Sequence, residues 1–368
     1  MKKVLIIGMT SILGGVETYL YNVVKFLDKK DIEIDFLVIG DSKKAVFENE
    51  LVNILGCNKK HFYYTPSVKK NPIKAVKWLR GFYQAKMYDV IYMNTCTSAR
   101  IVYCSYAINK LGAKLITHSH NGNAISKFKG INNRIFRHYT TKHSSVKVAC
   151  SEKAYNWLFD DEFKEENIIP NGIDVDRFAF SEKVRNAVRS AVGLEGKVVI
   201  GHIGRFSVQK NHCFFIELAK QLDAHYQFLL IGDGDQKAKF IEQIWSNDLQ
   251  ERFTIIDVCG DIEKYYSAMD IFVMPSLFEG LPIVAVEAQC NGLHCIFSDA
   301  VSIQADISNN CMFVPLDNVK LWVDAILNCS YKRYDGKSIV RDAGFSIQNT
   351  SVMIKEIIDG LSCKYSSK

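Results

Sequence analysis

The sequence predicts an α/β protein built of two doubly wound domains in series, and three observations carry that expectation. Short apolar runs alternate with longer amphipathic stretches through nearly the whole chain. The runs are close to continuously apolar, as strands are when helices cover both faces of a parallel sheet. At 368 residues the chain has room for about two domains, each large enough to bury a core. A hydrophobic fraction of 48% excludes a wholly disordered chain, and 22 Gly with 6 Pro exclude collagen-like repetition.

In the first half, residues 4–8, 34–39, 90–93, 114–117 and 146–149 are strand candidates. Residues 15–27, 43–55, 71–86, 98–111 and 152–159 carry helical spacing between them. The pattern then restarts, with strands at 198–203, 228–231, 253–258, 271–274, 294–297 and 311–314. The intervening helices fall at 211–222, 236–245, 283–290 and 316–327. Between the halves, 170–194 holds IIPNGIDVDRF, a charged helix and the turn VGLEGK, and reads as a hinge. A last amphipathic helix is expected at 346–361, with a frayed tail at 364–368. The expected domains are therefore 1–175, 176–345, and a C-terminal helix and tail at 346–368 that packs back toward the first. Two such domains would face a central cleft at the carboxyl ends of their strands, the usual ligand position in open α/β sheets.

Charge divides the chain unevenly. Residues 1–170 hold 26 Lys+Arg against 15 Asp+Glu, a net +11, while the rest hold 20 against 25, a net −5. Within 51–150 there are 17 basic residues and one acidic one, Asp89. A solvated face mixes its signs, so this excess asks for an anionic partner: nucleic acid, a membrane surface or a phosphorylated substrate. No helix-turn-helix, finger or RNP pattern accompanies the patch, which argues against nucleic acid. The 11 cysteines are scattered without a C-x-x-C pair, so they suggest buried thiols in a reducing compartment and no zinc site. The opening MKKVLIIG imitates a signal peptide, but its apolar run is too short and reads better as a strand. No run of about 18 apolar residues occurs to span a membrane, and a cytoplasmic location is expected.

Four constellations carry chemistry. After the first strand, GMTSILGGVETYL places Gly14 and Gly15 at a helix start, where free N–H groups face an anion. In KLITHSHNGNA, His118 and His120 lie two apart at a strand end and so share one side, toward either crevice or core, with Asn121, Gly122 and Asn123 opening a loop. A metal would need a third ligand, and none is evident. In IGHIGRFSVQKNH, Arg205 follows a strand and Lys210 precedes a helix, a fork of donors and a point charge suited to a diphosphate. In DIFVMPSLFEGLPIVAVEAQ, Glu279 sits in a loop beside Gly280 and Leu281, and Glu287 lies within an apolar helix, where a carboxylate needs donors such as a ribose diol. The turn IGDG, ending at Gly234, follows another strand and is placed to close on the same ligand, and Gly260 in CGD could offer backbone groups to a base edge.

Taken in order, these residues resemble a known group. GGVE at 14–17, PNGID at 170–174, GRF–QKN at 204–211, GDG at 232–234 and EGLPIVAVEA at 279–288 are similar to the motifs of retaining, nucleotide-sugar-dependent glycosyltransferases of family 4, with the GT-B architecture of two Rossmann-like domains. HSHN at 118–121 further resembles bacterial enzymes that build capsular, exopolysaccharide or lipopolysaccharide chains. The resemblance implies that Gly14 and Gly15 contact the donor diphosphate or sugar, that Arg205 and Lys210 hold the diphosphate, that Glu279 engages the sugar and Glu287 the ribose. The catalytic-region histidine falls on His118 or His120, with the strand end favouring His120. It also implies a hexosyl transfer that retains configuration by same-face attack, no divalent cation and no cofactor beyond the donor substrate, a UDP-sugar by default.

The expected acceptor is a lipid-linked saccharide, reached at the inner face of the cytoplasmic membrane by peripheral association. Two segments were candidates for that contact: 69–86, where Ile73, Val76, Leu79 and Tyr83 mark an apolar side that Trp78 and Phe82 extend toward headgroups, and 127–143. The competing enzyme reading is a nucleotide-sugar epimerase or a phosphorylase on the same fold.

Overall fold

Two sheets of identical strand order organise the chain. The computed structural model describes residues 1–39, 44–57, 60–120 and 127–361. It divides into two units, Met1–Gly172 with Ile347–Lys368, and Ile173–Ser346. The sequence placed these boundaries at 175 and 345; Ile173 and Val175 enter the core of the second unit. The expected loop at 121–123 and tail at 364–368 lie outside the described residues.

The first unit runs β1 (Lys2–Ile7), α1 (Gly15–Phe26), β2 (Ile32–Val38), α2 (Glu48–Leu55), β3 (Phe62–Tyr64), α3 (Pro72–Lys86), β4 (Val90–Thr95), a 3-10 turn at Ser98–Tyr103, α4 (Ser105–Leu111), β5 (Lys114–Ser119), α5 (Lys127–His143), β6 (Val146–Ala149) and α6 (Glu152–Leu158). Its parallel sheet has the order β3-β2-β1-β4-β5-β6. Successive side chains of β1 serve opposite faces: Val4 and Ile6 join Leu20, Val23 and Val24 of α1, while Leu5 and Ile7 join Leu79 and Tyr83 of α3. Both faces are buried, and this is why the strand reads as an unbroken apolar run.

The second unit contains α7 (Glu182–Val192), β7 (Val198–Ile203), a 3-10 turn at Val208–Lys210, α8 (Phe214–Gln221), β8 (Tyr226–Ile231), α9 (Lys237–Ser246), β9 (Phe253–Ile256), α10 (Glu263–Ala268), β10 (Ile271–Met274), α11 (Ile283–Cys290), β11 (His294–Ser298), β12 (Cys311–Val314), α12 (Val319–Leu327) and α13 (Gly336–Asp342). The order β12-β11-β10-β7-β8-β9 repeats that of the first sheet. α14 (Ile347–Gly360) returns to the first unit, where Ile354 and Ile358 enter the core around α1. Lys2 Nζ donates to the carbonyls of Ile358, Asp359 and Leu361 at 2.7–2.8 Å and so caps that helix.

One expectation is corrected here. α3 starts at Asn71, whose side chain accepts from Lys74 N–H, with Pro72 in its first turn. Its buried stripe is Ala75, Leu79, Phe82 and Tyr83, and Trp78 stacks on Phe82 with 5.0 Å between ring centroids. Phe82 and Trp78 therefore serve the core and do not extend outward; the exposed apolar residues of this helix are Ile73 and Val76. On α5, the buried Asn133 anchors the helix to Ser98 and Trp157, and Ile131 and Ile135 face outward. Among the described residues, no helix is long and apolar enough to cross a membrane.

Candidate functional site

In each sheet the strand order reverses once, between β1 and β4 and between β7 and β10. Loops leaving the carboxyl ends of strands at such a point are where open α/β sheets bind ligands.

The charged set lies at the reversal point of the second sheet. Arg205 follows β7 directly, is exposed, and has no hydrogen bond or ion pair among the described residues. Lys210 closes the next turn and is paired at 2.8 Å with Glu279, from the loop after β10, with only 15% and 11% of the two side chains exposed. The two loops are tied together: Leu277 N–H donates to Gln209 O at 2.8 Å, Gln209 Nε2 to Phe278 O at 3.0 Å, and Asn211 Nδ2 to Pro275 O at 3.1 Å. Asn211 holds the left-handed conformation, φ +54°, that ends the turn and aims its amide across. A third loop, after β11, grips Glu279 through Ser302 N–H to Glu279 O at 3.2 Å. Gly280 is exposed, and Leu281 packs on the core.

Glu287 lies deeper, on α11. Its Oε2 accepts from Tyr266 OH at 2.6 Å, and burial pushes the carboxyl up to about 7, opposed by that hydrogen bond and by the charge of Arg177. Its other oxygen makes no hydrogen bond among the described residues, which leaves one acceptor for a ligand diol. Gly234, expected to touch ligand, has a reason inside the protein: a side chain there would come within 2.2 Å of Phe206 O. Gly260 O accepts from Arg177, and Arg177 also pairs with Glu263 at 2.7 Å.

The reversal point of the first sheet carries two histidines with neutral partners. His118 and His120 share one side of β5 and stack with centroids 4.1 Å apart. His118 is wholly buried; the hydroxyls of Tyr92 and Tyr19 lie 2.8 and 3.3 Å from Nδ1. His120, partly exposed, is held between the side chains of Asn171, 3.0 Å from Nδ1, and Asn94, 2.8 Å from Nε2. Burial, reinforced by the Arg100 charge and opposed by the Asn171 hydrogen bond, takes His120 down to about 4, and burial takes His118 far below the usual range. Both rings are neutral at pH 7. A neutral ring has one N–H, so one asparagine offers His120 its oxygen and the other its amide N–H. Gly14 caps α1, and a side chain there would meet Glu17 Oε2 at 2.8 Å; a side chain at Gly15 would meet nothing within 4 Å. Glu17 is buried and accepts from Thr10 Oγ1 at 2.7 Å. Tyr19 of α1 contacts both histidine rings, at 5.3 and 4.8 Å.

Arg205, Lys210, Glu279, Gly280 and Glu287 thus belong to the second unit, and Gly14, Gly15, His118 and His120 to the first. Sequence reasoning missed Asn94, Asn171, Tyr19, Tyr92 and Gln209 as their partners. Asn94, the polar residue ending an apolar strand, and Asn171, inside PNG, were the two with a visible signal.

Known proteins share this fold. Residues 13–177 match the family model described as Glycosyltransferase Family 4, and residues 197–330 the one described as Glycosyl transferases group 1. The chain is 28% identical over 305 residues to the putative glycosyltransferase EpsF of Bacillus subtilis strain 168, covering 80% of this chain and 78% of that one. It is 26% identical over 325 residues to an Escherichia coli protein named UDP-Gal:alpha-D-GlcNAc-diphosphoundecaprenol alpha-1,3-galactosyltransferase, covering 76% of this chain and 80% of that one. The solved structure of Anabaena Alr3699/HepE in complex with UDP and glucose superposes with a TM-score of 0.78 at 19% identity, over 98% of this chain and 100% of that one. The strand order, the motif order and both family matches lead to one conclusion: the chain belongs to the glycosyltransferases of family 4 and group 1, with the GT-B fold.

Proposed function

We propose that this glycosyltransferase moves a hexosyl group from a UDP-sugar to a hydroxyl of a lipid-linked saccharide during bacterial surface polysaccharide assembly, with retention of configuration and without a divalent cation. The observation that carries the reading is the exposed Arg205, without a partner among the described residues, and the Lys210–Glu279 pair at the reversal point of the second sheet. Arg205 and Lys210 supply positive charge where a diphosphate leaves, which is the part of the reaction where charge accumulates. Glu279 offers a carboxylate to sugar hydroxyls, and Glu287 an open oxygen to the ribose. His120, neutral and held by two amides, donates or accepts one hydrogen bond at the acceptor side. The UDP donor draws support from the Anabaena complex, and the lipid-linked acceptor from the name of the Escherichia coli relative.

Peripheral membrane association forms part of the proposal. Ile73 and Val76 stand out from α3 among the exposed Lys69, Lys74, Lys77 and Arg80, and Ile131 and Ile135 from α5 beside Arg134. Apolar residues set among cations suit an anionic bilayer surface. The test is nucleoside diphosphate release from a panel of nucleotide sugars, with and without an undecaprenyl-diphosphate-linked saccharide and with and without EDTA. Release from a UDP-sugar that depends on acceptor and ignores EDTA is expected. Donor consumption without acceptor would favour an epimerase, and dependence on inorganic phosphate a phosphorylase. Binding to vesicles should rise with anionic-lipid content and fall with salt.

A further inference from the structure

β7 and β10 pair only as far as Ile200 with Ile271 and Gly201 with Phe272. Beyond that register, at the reversal point, a side chain takes over from the backbone ladder. His202, fully buried, places Nδ1 2.8 Å from Val273 O on β10. A carbonyl oxygen accepts only, so Nδ1 carries the proton and Nε2 is a bare lone pair. That Nε2 has no hydrogen-bond partner among the described residues. Native proteins keep few buried acceptors without a donor, and each one asks for an explanation. His212 lies against the ring edge to face at 5.0 Å and stacks on Phe206 at 3.9 Å, and makes no hydrogen bond to His202 among the described residues. Burial, with the charge of Lys210 adding to it, holds both rings far below the ordinary histidine range, His212 at about 3.

What Nε2 faces is decided by a glycine. A side chain at Gly204 would put its first carbon 2.9 Å from His202 Nε2 and 3.3 Å from Lys210 Cε. Glycine therefore lets the imidazole and the lysine stem come close where any side chain would hold them apart. Glu279 Oε1 lies 2.8 Å from Lys210 Nζ and holds the ammonium as an ion pair in the free protein. Lys210 thus has a charged acceptor in contact and, near its stem, a neutral one that lacks a donor among the described residues.

We propose that His202 is a positioning residue for Lys210. When a donor diphosphate draws the ammonium away from Glu279, His202 Nε2 accepts one of its three N–H groups past Gly204, where no side chain intervenes, and holds it toward the phosphates. Glu279 is then released to the sugar hydroxyls. A neutral acceptor suits this seat, because a second carboxylate would compete with the phosphates for the charge. The inference rests on the donor reading given under the proposed function.

The experiment is calorimetric titration of UDP into the wild-type chain, His202→Asn and His202→Gln, each alone and with Lys210→Met. Asparagine keeps an N–H at the Nδ1 seat and loses the Nε2 acceptor, whereas glutamine keeps an amide at the Nε2 seat. His202→Asn should weaken UDP binding about tenfold, the lower end for a hydrogen bond to a charged group, and His202→Gln by less than about threefold. With Met at 210, the asparagine substitution should cost nothing further. Wild-type affinity in His202→Asn, an undiminished loss with Met at 210, or an affinity loss that merely follows the thermal midpoints would overturn the assignment. A wild-type chain that binds neither UDP nor GDP, ADP or dTDP would overturn the donor reading itself.

Discussion

The two sheets share a strand order and a reversal point, yet the groups gathered there differ in kind. In the first unit the two histidines are neutral and bound to neutral partners: His118 with two tyrosine hydroxyls, His120 with two asparagines. In the second the groups are ionic, with an exposed Arg205, the Lys210–Glu279 pair, and Glu287 poised near neutrality. Topology fixes where a ligand can lie, and side chains fix which ligand. Amides and a neutral imidazole suit hydroxyls. Fixed cations suit a diphosphate whose charge grows as it leaves.

The contrast can be broken first at its strongest member. Glu279→Gln should lower turnover about 10²-fold or more, measured as nucleoside diphosphate release, while the glutamine retains a contact for Lys210. Unchanged turnover at subsaturating donor would take Glu279 out of the site. In the first unit the two histidines should separate by readout. His120→Ala should cut turnover about 10²-fold with little change in unfolding, since its ring is partly exposed. His118→Ala should cost about 2–4 kcal/mol of stability in a urea titration, as truncation of a fully buried ring. The reverse order would exchange their roles.

Smaller effects sharpen the ionic side. Arg205→Ala should weaken UDP binding about tenfold with no change in thermal midpoint, because the guanidinium is exposed and has no hydrogen bond or ion pair among the described residues. Glu287 gives a pH signature. Its carboxyl titrates at about 7 in the folded chain against an ordinary 4.5, so across that window the folded state binds more protons than the unfolded one. Its contribution to stability therefore falls as pH rises from 4.5 to about 7. Donor affinity should move the opposite way, strengthening as the ionised acceptor forms. Glu287→Gln should flatten both dependences and make the free chain more stable at pH 8 than wild type. A Glu287→Gln chain with the wild-type pH profile of donor binding would place the titration elsewhere.

Much of the fold was legible because both faces of each sheet are covered, so strands such as 198–203 and 271–274 are written as apolar runs. The helix expected at 283–290 occurs with those bounds. Less legible were β3, only Phe62–Tyr64, and the short α10 and α13, whose lengths fall below a readable period. The helix expected at 98–111 is broken into a 3-10 turn and α4, and the one expected from 211 begins at Phe214, after Asn211 turns left-handed. On α3 the apolar side differs from the one helical spacing predicts, since Phe82 finds ring partners in Tyr63 and Tyr88 and Trp78 stacks on Phe82.

By itself the sequence determined the alternation of strands and helices, their burial on two faces, and the order in which glycines, cations and carboxylates follow strand ends. These are local or periodic properties, set by side-chain volume, polarity and backbone freedom along a few neighbouring residues. Only the tertiary structure decided that Lys210 is held by Glu279, that His118 is sealed while His120 stays open, that His202 keeps a bare lone pair, and that Glu287 titrates near neutrality. Each depends on enclosure and on partners carried by other strands, and desolvation acts on a group only when the chain has closed around it.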